Sequence, residues 1–122
     1  MNFIETADAP PAGGHYSQAV EANGFLFVAG QLPIRPEGGI PDGIEAQTRQ
    51  ALANVEAILK AAGSGLDRVV SATVFVSDIA LWPEVNRVYA AIFGSHRPAR
   101  TVAVSPQLHY GALVEVQAIA LA

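Results

Sequence analysis

Cysteine is missing from this chain of 122 residues. Its absence excludes disulfides, thiolate catalysis and cysteine-held metals, and it fits a reducing compartment. Long apolar runs are missing too: no stretch reaches the about 20 residues that a bilayer span needs. The opening residues, Met1 to Thr6, lack the basic-then-apolar pattern of a secretory leader. A cytoplasmic protein without a membrane partner is the expectation. Positive charge is scarce, with 7 Lys+Arg against 11 Asp+Glu and a net charge of −4. Tracking a phosphate backbone requires clustered basic residues, so no nucleic-acid partner is expected. Charged residues of either sign make up only 15%, where about 25% is usual. So few charges leave little to wet a surface, and part of that surface is expected to lie against other copies of the chain. The three histidines, His15, His96 and His109, stand in loop-like sequence without ligand spacing. No phosphate loop, dinucleotide fingerprint or nucleophile elbow occurs. Neither a metal nor a cofactor is expected.

What is present reads as one domain over residues 1–122, a length that can bury a core unaided. Residues 1–15 are Pro- and Gly-rich and irregular, with a short strand at Phe3-Ile4. Tyr16 to Ala22 and Phe25 to Ala29 flank Asn23-Gly24, a two-residue hairpin turn whose positions both tolerate positive φ. The second arm is all apolar and reads as buried. A Gly/Pro-rich linker follows, and then Ile44, Leu52, Val55, Leu59 and Ala62 repeat at helical period over 44–62. Asp42 is placed to cap that helix, Glu56 and Lys60 to pair along it, and Gly63 to end it. Val69 to Asp78 reads as a strand with Val70, Val74 and Val76 on one face. Leu81 to Phe93 reads as a second helix with Pro83 in its first turn. Thr101 to Ser105 reads as a buried strand, and Leu113 to Leu121 as an alternating one. The order ββαβαββ, with two apolar helix stripes to cover, gives a two-layer α+β sandwich.

Several residues are out of keeping with these elements. Arg100 leads the apolar run Thr101-Val102-Ala103-Val104. A buried guanidinium needs an anion, and Glu115, another acid of the chain or a ligand carboxylate would each serve. Glu115 and Gln117 share one face of the last strand, where two polar groups need partners or water. They are open to reading as a salt bridge and a surface amide, or as the wall of a pocket. Tyr16 follows the flexible Gly13-Gly14 pair and is either a pocket hydroxyl or a half-buried core aromatic. In Ala29-Gly30-Gln31 the missing Cβ of Gly30 allows either a bulge or a close ligand approach.

Taken together, the blocks Gly14-His15-Tyr16-Ser17-Gln18-Ala19, Val28-Ala29-Gly30-Gln31-Leu32-Pro33, Gln47 to Val55, Thr73 to Asp78, Val85-Asn86-Arg87-Val88-Tyr89, Pro98-Ala99-Arg100 and Val114 to Ala120 resemble the Rid/YjgF family. This is the family of imine/enamine deaminases also described as endoribonuclease L-PSP or translation-initiation inhibitors. Each block is weak alone, but their order and spacing are specific. The resemblance implies a chorismate-mutase-like fold and a homotrimer whose sheets close a central β-barrel, with ligand clefts between neighbouring subunits. It implies that Arg100 grips a substrate carboxylate, a planar fork suited to that group. It also implies that backbone near Gly30 and Val102 helps hold the ligand, and that Tyr16 and Asn86 line the cleft.

The chain departs from the family pattern at several positions. Gln117 stands where the resemblance places a water-activating glutamate, and an amide holds a water but takes no proton. Ala29 replaces a serine, Val102 a cysteine, and His15 a proline. The expected activity is hydrolytic deamination of a small carboxylate-bearing imine or enamine, with Arg100, Gln117 and Tyr16 as catalytic candidates. Gly30, Ala29, Val102, Asn86 and Glu115 are the binding candidates, and Glu115 or the substrate's own nitrogen is an alternative proton acceptor. Two other readings stand beside it: deamination of an aromatic-catabolism enamine such as 2-aminomuconate, and binding of a carboxylate metabolite without turnover.

Overall fold

The structure, a computed structural model, describes residues 1–122. Six strands form one sheet in the order β1-β2-β3-β6-β4-β5. These are β1 (Asn2–Ile4), β2 (Ala19–Ala22), β3 (Phe25–Gln31), β4 (Val69–Val76), β5 (Ala99–Val104) and β6 (Val114–Leu121). Helices α1 (Ile44–Ala61) and α2 (Trp82–Phe93) cover one face. No helix is long and apolar enough to cross a membrane. All pairings are antiparallel except β4 with β5, which is parallel because α2 carries the chain back over the sheet. The β2–β3 hairpin turns at Asn23 (φ 55°) and Gly24 (φ 84°), the two positive values that a two-residue turn requires.

The core lies between sheet and helices. Leu26 and Val28 of β3, Val74 and Val76 of β4, and Val114 to Ala120 at every second residue of β6 meet Leu52, Val55, Ile58 and Leu59 of α1 and Val85 of α2. Helix α1 ends as its glycine predicts. Gly63 takes φ 80°, its N–H donates to the Lys60 carbonyl, and the Ser64 N–H donates to the Leu59 carbonyl. Glu56 and Lys60 pair at 3.8 Å.

Four expectations need correction. Asp42 does not cap α1; the N-cap position is Gly43, at φ 87°, without a side-chain bond. Val70 does not share the buried face of Val74 and Val76. The β4–β6 register shifts between Val69 and Ser71, so Val69 and Ala72 turn inward and Val70 is exposed. The second hairpin arm is not buried throughout, since Phe25 and Phe27 stand on the face that no helix covers. Finally, β5 is an edge strand paired only with β4, and Arg100 is exposed rather than buried.

The uncovered face is apolar toward its β1–β2–β3 side. Register places Phe3, Val20, Phe27 and Ile119 in one row across it, with Phe25 beside Leu121 in the next. Contiguous apolar surface of this kind marks an interaction face.

Candidate functional site

Arg100 is held by α2. Its Nη1 donates to Asn86 Oδ1 at 3.0 Å. Its guanidinium lies 4.6 Å from the centre of the Trp82 ring and 4.8 Å from that of Tyr89. Trp82, Asn86 and Tyr89 fall at i, i+4 and i+7, one stripe of the helix. Flat aromatic faces attract a guanidinium without neutralising it. No carboxylate of the chain pairs with Arg100, so the ion pair with Glu115 left open by the sequence does not form. The charge is positioned by neutral groups and still lacks an anion. Tyr89 itself is buried, its hydroxyl has no partner, and burial pushes its pKa up against the opposing pull of Arg100.

Gly30 lies in a bulge. Ala29 and Gly30 together face Gln117 alone, between the Val28–Ala118 and Gln31–Val116 pairs. The space that a Cβ on Gly30 would fill is taken by the Glu115 carboxylate. Burial pushes the Glu115 pKa above the ordinary carboxylate value, and the charge of His109 opposes it less strongly. Glu115 and Gln117 are both half-buried on the face that no helix covers. Tyr16 is exposed and lies before β2 rather than within it; its hydroxyl oxygen accepts the Gly13 N–H at 3.1 Å, which leaves its own proton to donate.

Beside Gly30 opens a cleft of about 870 Å³, lined by Tyr16, Gly30, His109 and Tyr110 among others. Its walls are three irregular segments, and a buried amide ties down each one. Gln18 binds Thr6 N, Thr6 O and Pro10 O. Asn54 donates to the carbonyls of Leu32 and Ile34. Gln47 accepts the Leu113 N–H at 2.8 Å. Buried polar groups with all these partners fix a loop as firmly as secondary structure would.

The expected site residues therefore fall into two groups. Arg100 is in register with Ala72 and, through it, with Ala118, both buried beneath the helices. Thr101, one residue on, is in register with Thr73 and Gln117 on the opposite face. Arg100, Asn86 and Val102 thus belong to the helix-covered side of the sheet edge. Tyr16, Ala29, Gly30, Glu115 and Gln117 belong to the other side. One chain does not bring the two groups together.

Trp82, Tyr89, His109, Gln18, Gln47 and Asn54 were not among the expected site residues. The i, i+4, i+7 spacing of Trp82, Asn86 and Tyr89 is a signal the sequence does carry. So is the presence of Gln47 and Asn54 within the apolar stripe of α1.

Comparison with known proteins decides the lineage. The family model described as endoribonuclease L-PSP matches residues 6–122. The chain belongs to this family, the Rid/YjgF family. Among similar Rid proteins is the RutC family protein PH0854 of Pyrococcus horikoshii, 44% identical over 119 residues, covering 96% of this chain and 94% of the relative. The 2-iminobutanoate/2-iminopropanoate deaminase of Bos taurus is 43% identical over 121 residues, covering 98% and 88%. The crystal structure of E. coli TdcF with bound serine superposes with a TM-score of 0.96 at 35% identity, over 100% of this chain and 99% of the other. The Rid fold expected from the sequence, one mixed sheet backed by two helices, is the fold observed.

Proposed function

We propose that this Rid protein hydrolyses a small imine or enamine that carries a carboxylate. The reaction would take place in clefts formed between copies of a homotrimer. The observation that carries this reading is Arg100: a guanidinium fixed by Asn86 and two aromatic rings, with no carboxylate of its own chain to neutralise it. Family membership that includes imine deaminases supports it, as does a serine-bound relative. Because the two residue groups lie on opposite faces of one sheet, a complete cleft needs Arg100, Asn86 and Val102 from one copy and Tyr16, Gly30 and Glu115 from the next. The apolar face through Phe3, Phe25 and Phe27 supplies a reason for copies to associate.

In this scheme the imine carbon sits near Gly30, within reach of a water held by Glu115 and Gln117. Glu115, rather than Gln117, takes one proton from the water as the oxygen adds to carbon and passes it to the nitrogen, giving a carbinolamine. It then takes the hydroxyl proton and passes that to the nitrogen too, so that ammonia leaves and a keto acid remains. The burial that raises the Glu115 pKa suits a group that must both accept and return a proton. Gln117 contributes hydrogen bonds only. Tyr16 donates its free proton to the ligand.

The test generates an imino acid in place with an amino-acid oxidase and traps it with semicarbazide. Wild-type protein should lower the trapped fraction and raise free keto acid. Arg100→Ala and Glu115→Gln should abolish that effect, the latter by the about 10²–10⁴-fold typical of a lost general base. Wild type without activity, combined with activity gained in Gln117→Glu, would instead make the protein a carboxylate binder.

A further inference from the structure

We propose that Arg35 is a second carboxylate-recognition residue, which makes the preferred ligand a dicarboxylic imino or enamino acid rather than a short monocarboxylate. The inference rests on the reading of Arg100 above and concerns the cleft beside Gly30, whose wall includes Arg35.

Size is the first ground. A cleft of about 870 Å³ lies near the top of the about 300–1,000 Å³ range for pockets that enclose drug-sized ligands. In a single chain, a three- or four-carbon acid held at Gly30 fills only part of it. The wall around that space is apolar at Leu32, Ile34 and Ile40, and Arg35 is the cation set among them. An extended carbon chain ending in an anion fits such a lining.

The setting of Arg35 is the second ground. Its backbone closes a tight loop, with its N–H donating to the Gly39 carbonyl at 2.9 Å and its carbonyl accepting the Gly38 N–H at 2.8 Å. Gly38 and Gly39 hold φ 111° and 83°, values that side chains disfavour. The guanidinium lies across Gly39, with Nη1 3.1 Å from where a Cβ would stand, so a side chain at 39 would displace it. One residue upstream, the Ile34 carbonyl is pinned to Asn54. Arg35 is half-buried and makes no ion pair and no side-chain hydrogen bond. Glu37 also lines the cleft, but it is exposed and unpaired with Arg35. Arg35 therefore has a fixed backbone and a guanidinium that, like that of Arg100, has no anion from its own chain. A ligand with two carboxylates satisfies both.

Calorimetric titration with stable 2-oxo acids tests this without requiring turnover. The probes are 2-oxobutanoate and the dicarboxylic series oxaloacetate, 2-oxoglutarate and 2-oxoadipate. At least one dicarboxylate should bind wild type about tenfold or more tightly than 2-oxobutanoate, the scale of one charge-assisted hydrogen bond. Arg35→Gln should remove that preference and leave 2-oxobutanoate affinity in place, whereas Arg100→Gln should weaken every acid. Equal affinities in wild type, or a preference that survives Arg35→Gln, would overturn the role of Arg35 alone. Binding that ignores Arg100, or no binding of any acid, would overturn the carboxylate reading and this inference with it.

Discussion

Replacing Gly30 by alanine separates the site's chemistry from the stability of the fold. Gly30 does not adopt a positive φ, so alanine meets no backbone penalty there. The three nearest atoms to an added Cβ belong to the Glu115 side chain, with Oε2 overlapping it and Cδ at 3.2 Å. The obstruction is the far end of a flexible side chain, which can swing aside. Overpacking costs about 1–3 kcal/mol where a well-packed core must move. With only a carboxylate end to displace, the low end applies, about 1 kcal/mol, or roughly 4 °C in Tm for a domain of this size. The effect on turnover should be far larger. A misplacement of about 1 Å in a reacting group costs on the order of 10²-fold, and here the displaced group is the proposed base. The measurements are a thermal melt and the semicarbazide-trapping assay on the same preparation. Gly30→Ala should melt within a few degrees of wild type and lose about two orders of magnitude in activity. Activity within twofold of wild type would refute the placement of Glu115 at the reacting centre.

Other consequences follow from the same geometry. Asn54→Ala removes the donors to the Leu32 and Ile34 carbonyls and should cost about 2–3 kcal/mol by chemical denaturation, with increased protease cleavage between residues 32 and 40. Glu115→Gln should change the pH dependence of stability. Folding raises the Glu115 pKa, so its contribution is present below the unfolded value and is lost as pH rises through the folded one. The variant should therefore melt higher than wild type at pH 7, with the gap closing as pH falls to about 4.5 and below. An unchanged difference across that range would contradict a carboxylate destabilised by burial.

Much of the fold was legible in the residues because local chemistry dictates it. Asn23-Gly24 admits few alternatives to a tight turn, and Gly63 ends α1 by the left-handed geometry it alone adopts without cost. What could not be read was set by partners distant in sequence. Thr101 to Val104 carries the composition of a central strand, and only the position of β5 at the sheet edge leaves Arg100 exposed. Val70 has the alternation of a core residue until a bulge against β6 shifts it outward. The distinction between Glu115 and Gln117 is of the same kind. Both lie on one face of β6, and only the bulge at Gly30, on a different strand, selects the carboxylate that fills its empty Cβ position.

The central claim is that the cleft is shared between copies, with Arg100 from one chain and Glu115 from the next. Subunit complementation tests it most directly. Arg100→Ala and Glu115→Gln chains, each inactive alone, are co-expressed in equal amounts so that mixed oligomers form. If each site draws on two neighbouring chains of a closed ring, about a quarter of the sites carry both native residues, and roughly a quarter of wild-type imine hydrolysis should return. If the site lies within a single chain, every site keeps one lesion. Mixed oligomers with no recovered activity would contradict the account.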